Sequence, residues 1–416
     1  MLQLHLNLLS GFFLQKLFLF LFLPILLIAS YSAKIIDLKT LEPITQATVS
    51  DSSHFVTSDK NGSFTINSKE NIFHIKKYGY RPLCVDRNTT LIRLSPITIK
   101  ALYLTFWGAS NNSKTLQRVI DAIKETQANA LVIDVKNEYG STSFWTHFEQ
   151  ANSYGAQKKR TNRNIQKFMA RLKKLHIYTI ARVVTFKDEL QASHNTDYAI
   201  KYEDNATVWR NHDHMAWVDP FDTRAHDYTI AIAEEAAKVG FDEINFDYIR
   251  FPAKRGLKYS RPNTQKNRIH AIETFLHTAQ TRLRKYGVFI SVDTYGNICW
   301  SKDDNNIGQT VESLAKYSDY LSPMLYPSGF SYGSFYFKYP ADEPYAVIYR
   351  SIKNIKDRID TKRVRPWLQF FRDYKHKRRV YGKFEIQEQI RATKDIHTNG
   401  WMMWSPSSKY DIHYLK

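Results

Sequence analysis

The chain is short of the residues that staple or sharply bend small proteins. It has two cysteines in 416 residues, Cys84 and Cys299. No Cys-x-x-Cys pair and no zinc-type Cys/His spacing occurs, which excludes a disulfide framework and a structural zinc site. Two free buried thiols are the expectation, with one long-range disulfide as the alternative. Glycine is sparse, at 15 residues, and no Gly-rich loop follows the first strand of the long C-terminal region, so a phosphate-cradling nucleotide fold is not indicated. No motif calls for a cofactor or a metal, and neither is expected. Acidic residues are outnumbered, 40 against 59 Lys and Arg, for a net charge of +19. That balance favours an anionic partner. The basic residues are dispersed, however, as at Lys158-Lys159-Arg160, Lys173-Lys174 and Lys375 to Arg379. No stripe interleaves them with aromatics as a nucleic-acid groove would, so no nucleic-acid partner is expected.

Long apolar runs are also missing, with one exception. Leu17 to Ala29 reads LFLFLFLPILLIA, follows Lys16, and precedes small residues at Ser30, Ser32 and Ala33. That order is the pattern of a signal peptide, with cleavage near Ser30 to Ala33. The earlier apolar stretch, Leu2 to Leu14, leaves an uncleaved membrane anchor as the alternative. Residues 1–33 therefore predict export, to a periplasmic, extracellular or membrane-anchored location.

What is present is abundant: 43% hydrophobic residues and 14% aromatics, with 26 Tyr, 25 Phe and 8 Trp. That supports a large core, and the length suits a barrel of about 250 residues plus a further module. Residues 34–99 read as short strands separated by turns such as Asp59-Lys60-Asn61-Gly62, with no helical period. From residue 100 the pattern alternates strand and helix, the signature of a parallel sheet. Expected strands are Ala101–Phe106, Ala130–Lys136, Ile177–Val184, Glu243–Arg250, Val288–Thr294, Tyr320–Tyr326, Val364–Phe371 and Gly400–Trp404. Apolar residues spaced three and four apart mark the helices between, as at Leu116, Val119, Ile120 and Ile123 after the N-cap Ser113. Eight strand–helix units in unbroken order predict a (β/α)8 TIM barrel over 100–416, preceded by a small all-β sandwich. Only a short tail follows the eighth strand, so the closing helix is absent or vestigial, and the N-terminal module is the candidate to cover the gap.

In such barrels reactive residues stand at the C-terminal strand ends, where several loops converge. Period-two alternation then puts Asp134 and Lys136 on the inward face of strand two, with Glu138 beyond. Arg182 comes from strand three, Asn245 and Asp247 from strand four with Arg250 nearby, and Asp293 and Tyr295 from strand five. Tyr326, Gln369 and Trp404 come from strands six to eight, and Trp107 follows strand one. Glycosidic cleavage needs one carboxyl to protonate the leaving oxygen and another to attack or to activate water. Asp247, Asp293 and Glu138 are the candidate catalytic carboxyls; the others are candidate substrate contacts. Each strand-end Asp also has a plainer reading, as a helix cap or as an arginine's ion-pair partner.

Two segments of the chain resemble known families. The run EPITQATVSDSSHFVTSDKNGSFTI, with Val49, Thr57 and Asp59 to Phe64 in order and KKYGYRPL after it, resembles carboxypeptidase-regulatory-like domains. That implies a transthyretin-like β-sandwich over 34–99 without chemistry of its own. The motifs LVIDVKNEYG, GFDEINFDYIRFP, ISVDTYG, YLSPMLYPSGF and GWMMWSPSS resemble a glycoside-hydrolase barrel family long catalogued as a domain of unknown function. The resemblance spans about 100–410 and implies membership of the broad barrel glycosidase superfamily. With export expected as well, the function expected is hydrolysis of an exported or cell-envelope polysaccharide, the positive charge making an acidic one the first candidate. A more distant similarity is to the α-amylase type, whose Gly-x-Asp-x-x-x-x-Asp run is matched by Gly240, Asp242 and Asp247. It implies Asp247 as nucleophile, while Asp293 stands where that type carries a glutamate acid, and its seventh-strand His-Asp pair is missing, with Gln369 and Asp373 in that region. The working assignment is Asp247 as nucleophile and Asp293 as acid, with Glu138 the rival acid.

Two other readings remain: a non-catalytic carbohydrate-binding barrel, and a metal-dependent polysaccharide deacetylase using His212 and His214 around Asp213. These histidines lie in a polar insert, Lys187 to Thr223, that also holds Trp209, Trp217 and Asp219 and reads as a loop over the cleft. Lys136 admits a Schiff-base role, against a plain ion pair.

Overall fold

The computed structural model describes residues 30–204, 207–375 and 378–416. The apolar run at 17–29 therefore lies outside the described residues. Among those described, no helix is long and apolar enough to cross a membrane.

The N-terminal module is a sandwich of two sheets. Strands β1 (Ser30–Asp37), β4 (Ser63–Asn67) and β7 (Leu91–Leu94) form one; β2 (Thr48–Ser50), β3 (Phe55–Thr57), β5 (Ile72–Lys76) and β6 (Leu83–Asp86) form the other. Alternation explains the core: Phe64 and Ile66 of β4 point inward and their neighbours outward, onto Tyr31, Ile35, Val49, Phe73 and Ile75. The module starts earlier than the sequence suggests. Ser30 to Lys34 pair with β4, and Tyr31 packs on Phe64 and Phe73. The residues expected to carry a cleavage site thus belong to β1.

The barrel closes in the order β8 (Ile99–Leu104), β9 (Ala130–Lys136), β10 (Tyr178–Val184), β12 (Glu243–Asp247), β14 (Phe289–Tyr295), β15 (Tyr320–Met324), β16 (Trp367–Gln369) and β17 (Gly400–Trp404), with β17 pairing back to β8. The expected (β/α)8 class is what is observed. Two short strands, β11 (Lys201–Tyr202) and β13 (Leu257–Lys258), pair as a ribbon within the loops. The outer helices are α1 (Lys114–Glu125), α3 (Ile165–Lys174), α5 (Thr223–Lys238), α6 (Gln265–Leu283), α7 (Val311–Tyr317), α8 (Pro344–Lys353) and α9 (Lys383–Asp395); α2 (Glu149–Ser153) and α4 (Glu189–His194) sit in loops. Helix α1 shows why these form. The Ser113 side chain accepts from the backbone N–H of Thr115 and Leu116, and Leu116, Val119, Ile120 and Ile123 bury one stripe. Each such side chain contributes roughly 1.5–3 kcal/mol of transfer free energy.

Two expectations shift. Strand four ends at Asp247, not Arg250, because Tyr248 takes a left-handed φ of 49° and its N–H turns back to Asp247 Oδ1 at 2.6 Å. The closing helix is vestigial, the four-residue α10 (Ile412–Leu415), and the tail that carries it covers the gap: Leu415 is buried, and the Tyr410 hydroxyl bonds both backbone groups of Tyr103. The N-terminal module sits instead under the N-terminal end of the barrel. There the Gly79 N–H donates to the Tyr320 hydroxyl at 2.9 Å, Lys76 pairs with Asp319 at 2.7 Å, and Tyr78 and Ile97 pack on the inner barrel cluster. Gly79 has φ +84°, a conformation that an L side chain resists. Both cysteines are free, Cys84 exposed and Cys299 buried.

Candidate active site

One buried arginine organises the barrel mouth. Arg182 points inward from β10, level with Asp134 on β9 and Asn245 on β12. Its Nη1 donates to Asp134 Oδ1 at 2.6 Å, its Nε and Nη2 to Asp247 Oδ2 at 2.9 and 2.5 Å, and Nη2 also to Glu138 Oε1 at 3.0 Å. The guanidinium lies 5.3 Å from the centre of the Trp404 ring, which stacks on Tyr103. The Tyr103 hydroxyl completes the set with a 2.5 Å bond to Asp134 Oδ2. Three carboxylates on one guanidinium leave the cluster net negative, a charge balance that a purely structural ion pair does not need.

The carboxyls differ electrostatically. Burial pushes Asp134 up despite Arg182 beside it. Glu138 sits below its usual value: the Arg182 charge and hydrogen bond outweigh its burial. Asp293 behaves in the opposite way. It is enclosed in the barrel, and burial, reinforced by the neighbouring Asp247 charge, raises it well above the usual carboxylate range. Asn245 Nδ2 and Trp367 Nε1 both donate to its Oδ1, at 2.9 and 2.7 Å. Its Oδ2 has no protein partner among the described residues. The Tyr326 phenol is raised first by burial and then by the charges of Asp293 and Asp247.

Of the residues expected at the mouth, Asp134, Glu138, Arg182, Asp247, Asp293, Tyr326 and Trp404 converge there. Asn245 is fully buried; its Nδ2 donates to Asp293 and Ser291, and its Oδ1 has no partner among the described residues. Trp107 and Tyr295 are exposed on the rim, at 68% and 46%. Two expected substrate contacts are corrected. A register shift in the β9–β10 pairing sets Lys136 opposite the outward Val183, so strict alternation fails. Lys136 is sealed there, bonded to Asp188 at 2.8 Å and to the Val184 carbonyl at 2.6 Å. The ion pair is the reading that stands, with Asp188 as partner in place of Asp134. Gly140 makes room for it, since a Cβ would meet Asp188 Oδ1 at 2.2 Å. Gln369 is equally unavailable: its amide bonds Ser328 and the Phe371 carbonyl in a buried network. Asp373, also buried, bonds the Lys375 N–H.

Sequence reasoning missed Tyr103 and Trp367. Both carry the inward parity of their strands, which was the available signal. It also missed an exposed aromatic rim beyond Trp107 and Tyr295: Tyr139, Trp145, Tyr332, Tyr336 and Tyr374 stand on loops that follow the C-terminal ends of barrel strands. The 187–223 insert holds helix α4 and strand β11 rather than loop alone. His212 contacts Asp213, which also pairs with Lys187, and no group of three or more His, Cys, Asp or Glu able to hold a metal occurs among the described residues.

A closed parallel barrel with a carboxylate cluster at its C-terminal mouth is the architecture of a glycosidase-type barrel. The chain belongs to the family described as "Putative glycosyl hydrolase domain", whose model matches residues 101–410. Among solved structures, the glycoside hydrolase domain of PgaB (BpsB) from Bordetella bronchiseptica is 12% identical, with a TM-score of 0.54 over 75% of this chain and 95% of the other. A hypothetical protein from Ruminiclostridium thermocellum is 33% identical over 46% of this chain and 96% of its own, with a TM-score of 0.42. The spore cortex-lytic enzyme SleL of Bacillus megaterium is 13% identical, covering 78% and 75%, with a TM-score of 0.46. Only the first of these superposes closely enough to speak to the fold. No curated protein matches the chain.

Proposed function

We propose that the protein hydrolyses glycosidic bonds of an exported or cell-envelope polysaccharide, with Asp293 and Asp247 as the catalytic pair. The observation that carries this reading is the different settings of the two neighbours, one enclosed and the other bonded to an arginine. Burial, reinforced by the neighbouring Asp247 charge, raises Asp293 well above the usual carboxylate range and favours its protonated form, while Asp247 Oδ2 takes two N–H donors from Arg182. A proton-bearing carboxyl next to a salt-bridged carboxylate is the division of labour that glycosidic cleavage requires. Asp293 gives its proton to the leaving oxygen. Asp247 either attacks the anomeric carbon or takes the proton of an attacking water. Glu138 is the poorer acid, because Arg182 stabilises its ionised form. Trp404 packs on the arginine, Tyr103 holds Asp134 and stacks on Trp404, and the arginine positions the carboxylates.

The exposed aromatic rim supports a polymeric substrate, since flat rings stack on the C–H faces of successive sugar units. The apolar run at 17–29 supports export. Absence of a three-residue ligand group among the described residues weighs against the deacetylase reading. The test is reducing-end release by the purified chain from a panel of neutral and acidic envelope polysaccharides. Release from at least one polymer is expected. Binding without release from any of them would favour the non-catalytic reading instead.

A further inference from the structure

Beside the mouth, the insert after β10 folds against the loop after β12 and encloses a cavity of about 550 Å³. Trp209 and Trp217 form its apolar floor, and Tyr202, partly exposed, stands at its edge. Arg210, Arg250 and Lys254 line it together with Asn211, His212, Pro252 and Ala253. The three cations are not equivalent. Arg210 is neutralised by Glu189 at 2.7 Å. Arg250 and Lys254 have no carboxylate within ion-pair distance among the described residues.

Arg250 is held firmly even so. Its guanidinium lies 5.1 Å from the Trp217 ring centre and 5.2 Å from that of Tyr248. One donor bonds the Phe251 carbonyl at 3.2 Å. A guanidinium has five N–H donors, so most of its fork remains for the groove it lines. Holding a half-buried cation with no carboxylate at ion-pair distance costs free energy, and an anion entering the groove recovers it. The fork geometry suits a carboxylate, which accepts two parallel N–H bonds.

Position narrows the ligand further. Tyr248 directly follows Asp247, so the groove adjoins the carboxylate mouth. That mouth would repel a second negative charge at the cleaved bond, whereas Arg250 attracts one a short step away. We propose that the groove is an accessory subsite for a uronic acid unit of the glycan, seated beside the cleaved bond rather than at it. Arg250 forks the sugar carboxylate, Lys254 adds charge, and Tyr202 offers a stacking face. The proposal rests on the glycosidase reading for the rest of the polymer, but its test does not.

The full-length protein, labelled with fluorotryptophan, is titrated with glucuronate and galacturonate, their methyl esters, the neutral parent sugars, and inorganic phosphate. The signals of Trp209 and Trp217, assigned by substitution, report occupancy. Both uronates should move these signals at millimolar concentration, with the esters and neutral sugars at least about tenfold weaker, as loss of a charge-assisted bond predicts. Arg250→Gln should weaken uronate binding by about 10- to 100-fold. Lys254→Gln, at an exposed site where folding is not at stake, should weaken it several-fold and steepen no other response. Equal response to the esters, or to phosphate, would overturn the uronate assignment, as would Lys254→Gln and Arg250→Gln both binding like the parent. Because no turnover is involved, uronate binding in a protein that cleaves nothing would sink the hydrolase reading and keep the subsite. Cleavage of neutral glycans without uronate binding would do the reverse.

Discussion

The barrel holds a buried arginine at each end, and the two ends behave differently. At the mouth, Arg182 serves Asp134, Glu138 and Asp247. At the floor, Arg365 pairs with Glu243 alone, at 2.5 Å, over the face of Tyr320, and the Tyr178 hydroxyl donates to the second Glu243 oxygen at 2.9 Å. The floor balances one positive charge against one negative charge and is closed beneath by Tyr78 and Gly79 of the N-terminal module. The mouth carries surplus carboxylates, opens between exposed aromatics, and raises the neighbouring Asp293. Burial of an arginine is thus no guide to function by itself. Charge balance and access are what separate a structural pair from a chemical one.

The largest effect that would sharpen this contrast is at Asp247. Asp247→Asn should lower turnover by about 10³-fold or more, the upper part of the range for a catalytic proton-transfer or nucleophilic group. Its thermal unfolding should stay close to that of the parent, read by circular dichroism. Glu243→Gln should do the opposite at the floor. Leaving Arg365 buried without its charge partner costs about 3–5 kcal/mol of stability, measured by denaturant unfolding, while turnover per folded molecule changes by less than about twofold if the floor has no catalytic part. A large fall in turnover at full folding would break the comparison.

A third effect is a sign rather than a size. Asp293 is raised in the folded state, so it binds more protons folded than unfolded, and its contribution to stability falls as pH rises from the unfolded carboxyl value through the folded one. Asp293→Asn removes that loss. The variant should therefore melt at a temperature equal to or above the parent at neutral pH, with the gap widening towards alkaline pH, although its activity is impaired. A lower melting temperature would contradict the assigned shift. The smallest effect belongs to the seal: Gly79→Ala, at φ +84°, should cost about 1–2 kcal/mol with no change in catalytic constants.

Much of this was legible in the sequence, for identifiable reasons. Strands β9 and β17 keep their expected limits because continuous apolar runs bounded by turns are strong signals. Asp134, Arg182, Asp247 and Asp293 were legible from their positions at the C-terminal ends of strands. Lys136 was not, since a register shift leaves no mark in composition. Nor was the end of β12, where a tyrosine rather than glycine takes the left-handed conformation. Gln369 shows a further limit: strand-end polarity does not reveal that neighbours already saturate an amide. The position of the N-terminal module beneath the floor depends on contacts between residues more than 200 apart, such as Lys76 with Asp319, and local pattern cannot carry that information.

The central claim is that Asp293 supplies the proton while Asp247 bears the negative charge. Its most direct test is the pH dependence of kcat/KM for the parent and for Asp293→Asn on the same cleaved glycan. The account predicts an alkaline limb in the parent, set by loss of the Asp293 proton, that is absent from the residual activity of the variant. An alkaline limb that persists unchanged in Asp293→Asn would contradict it.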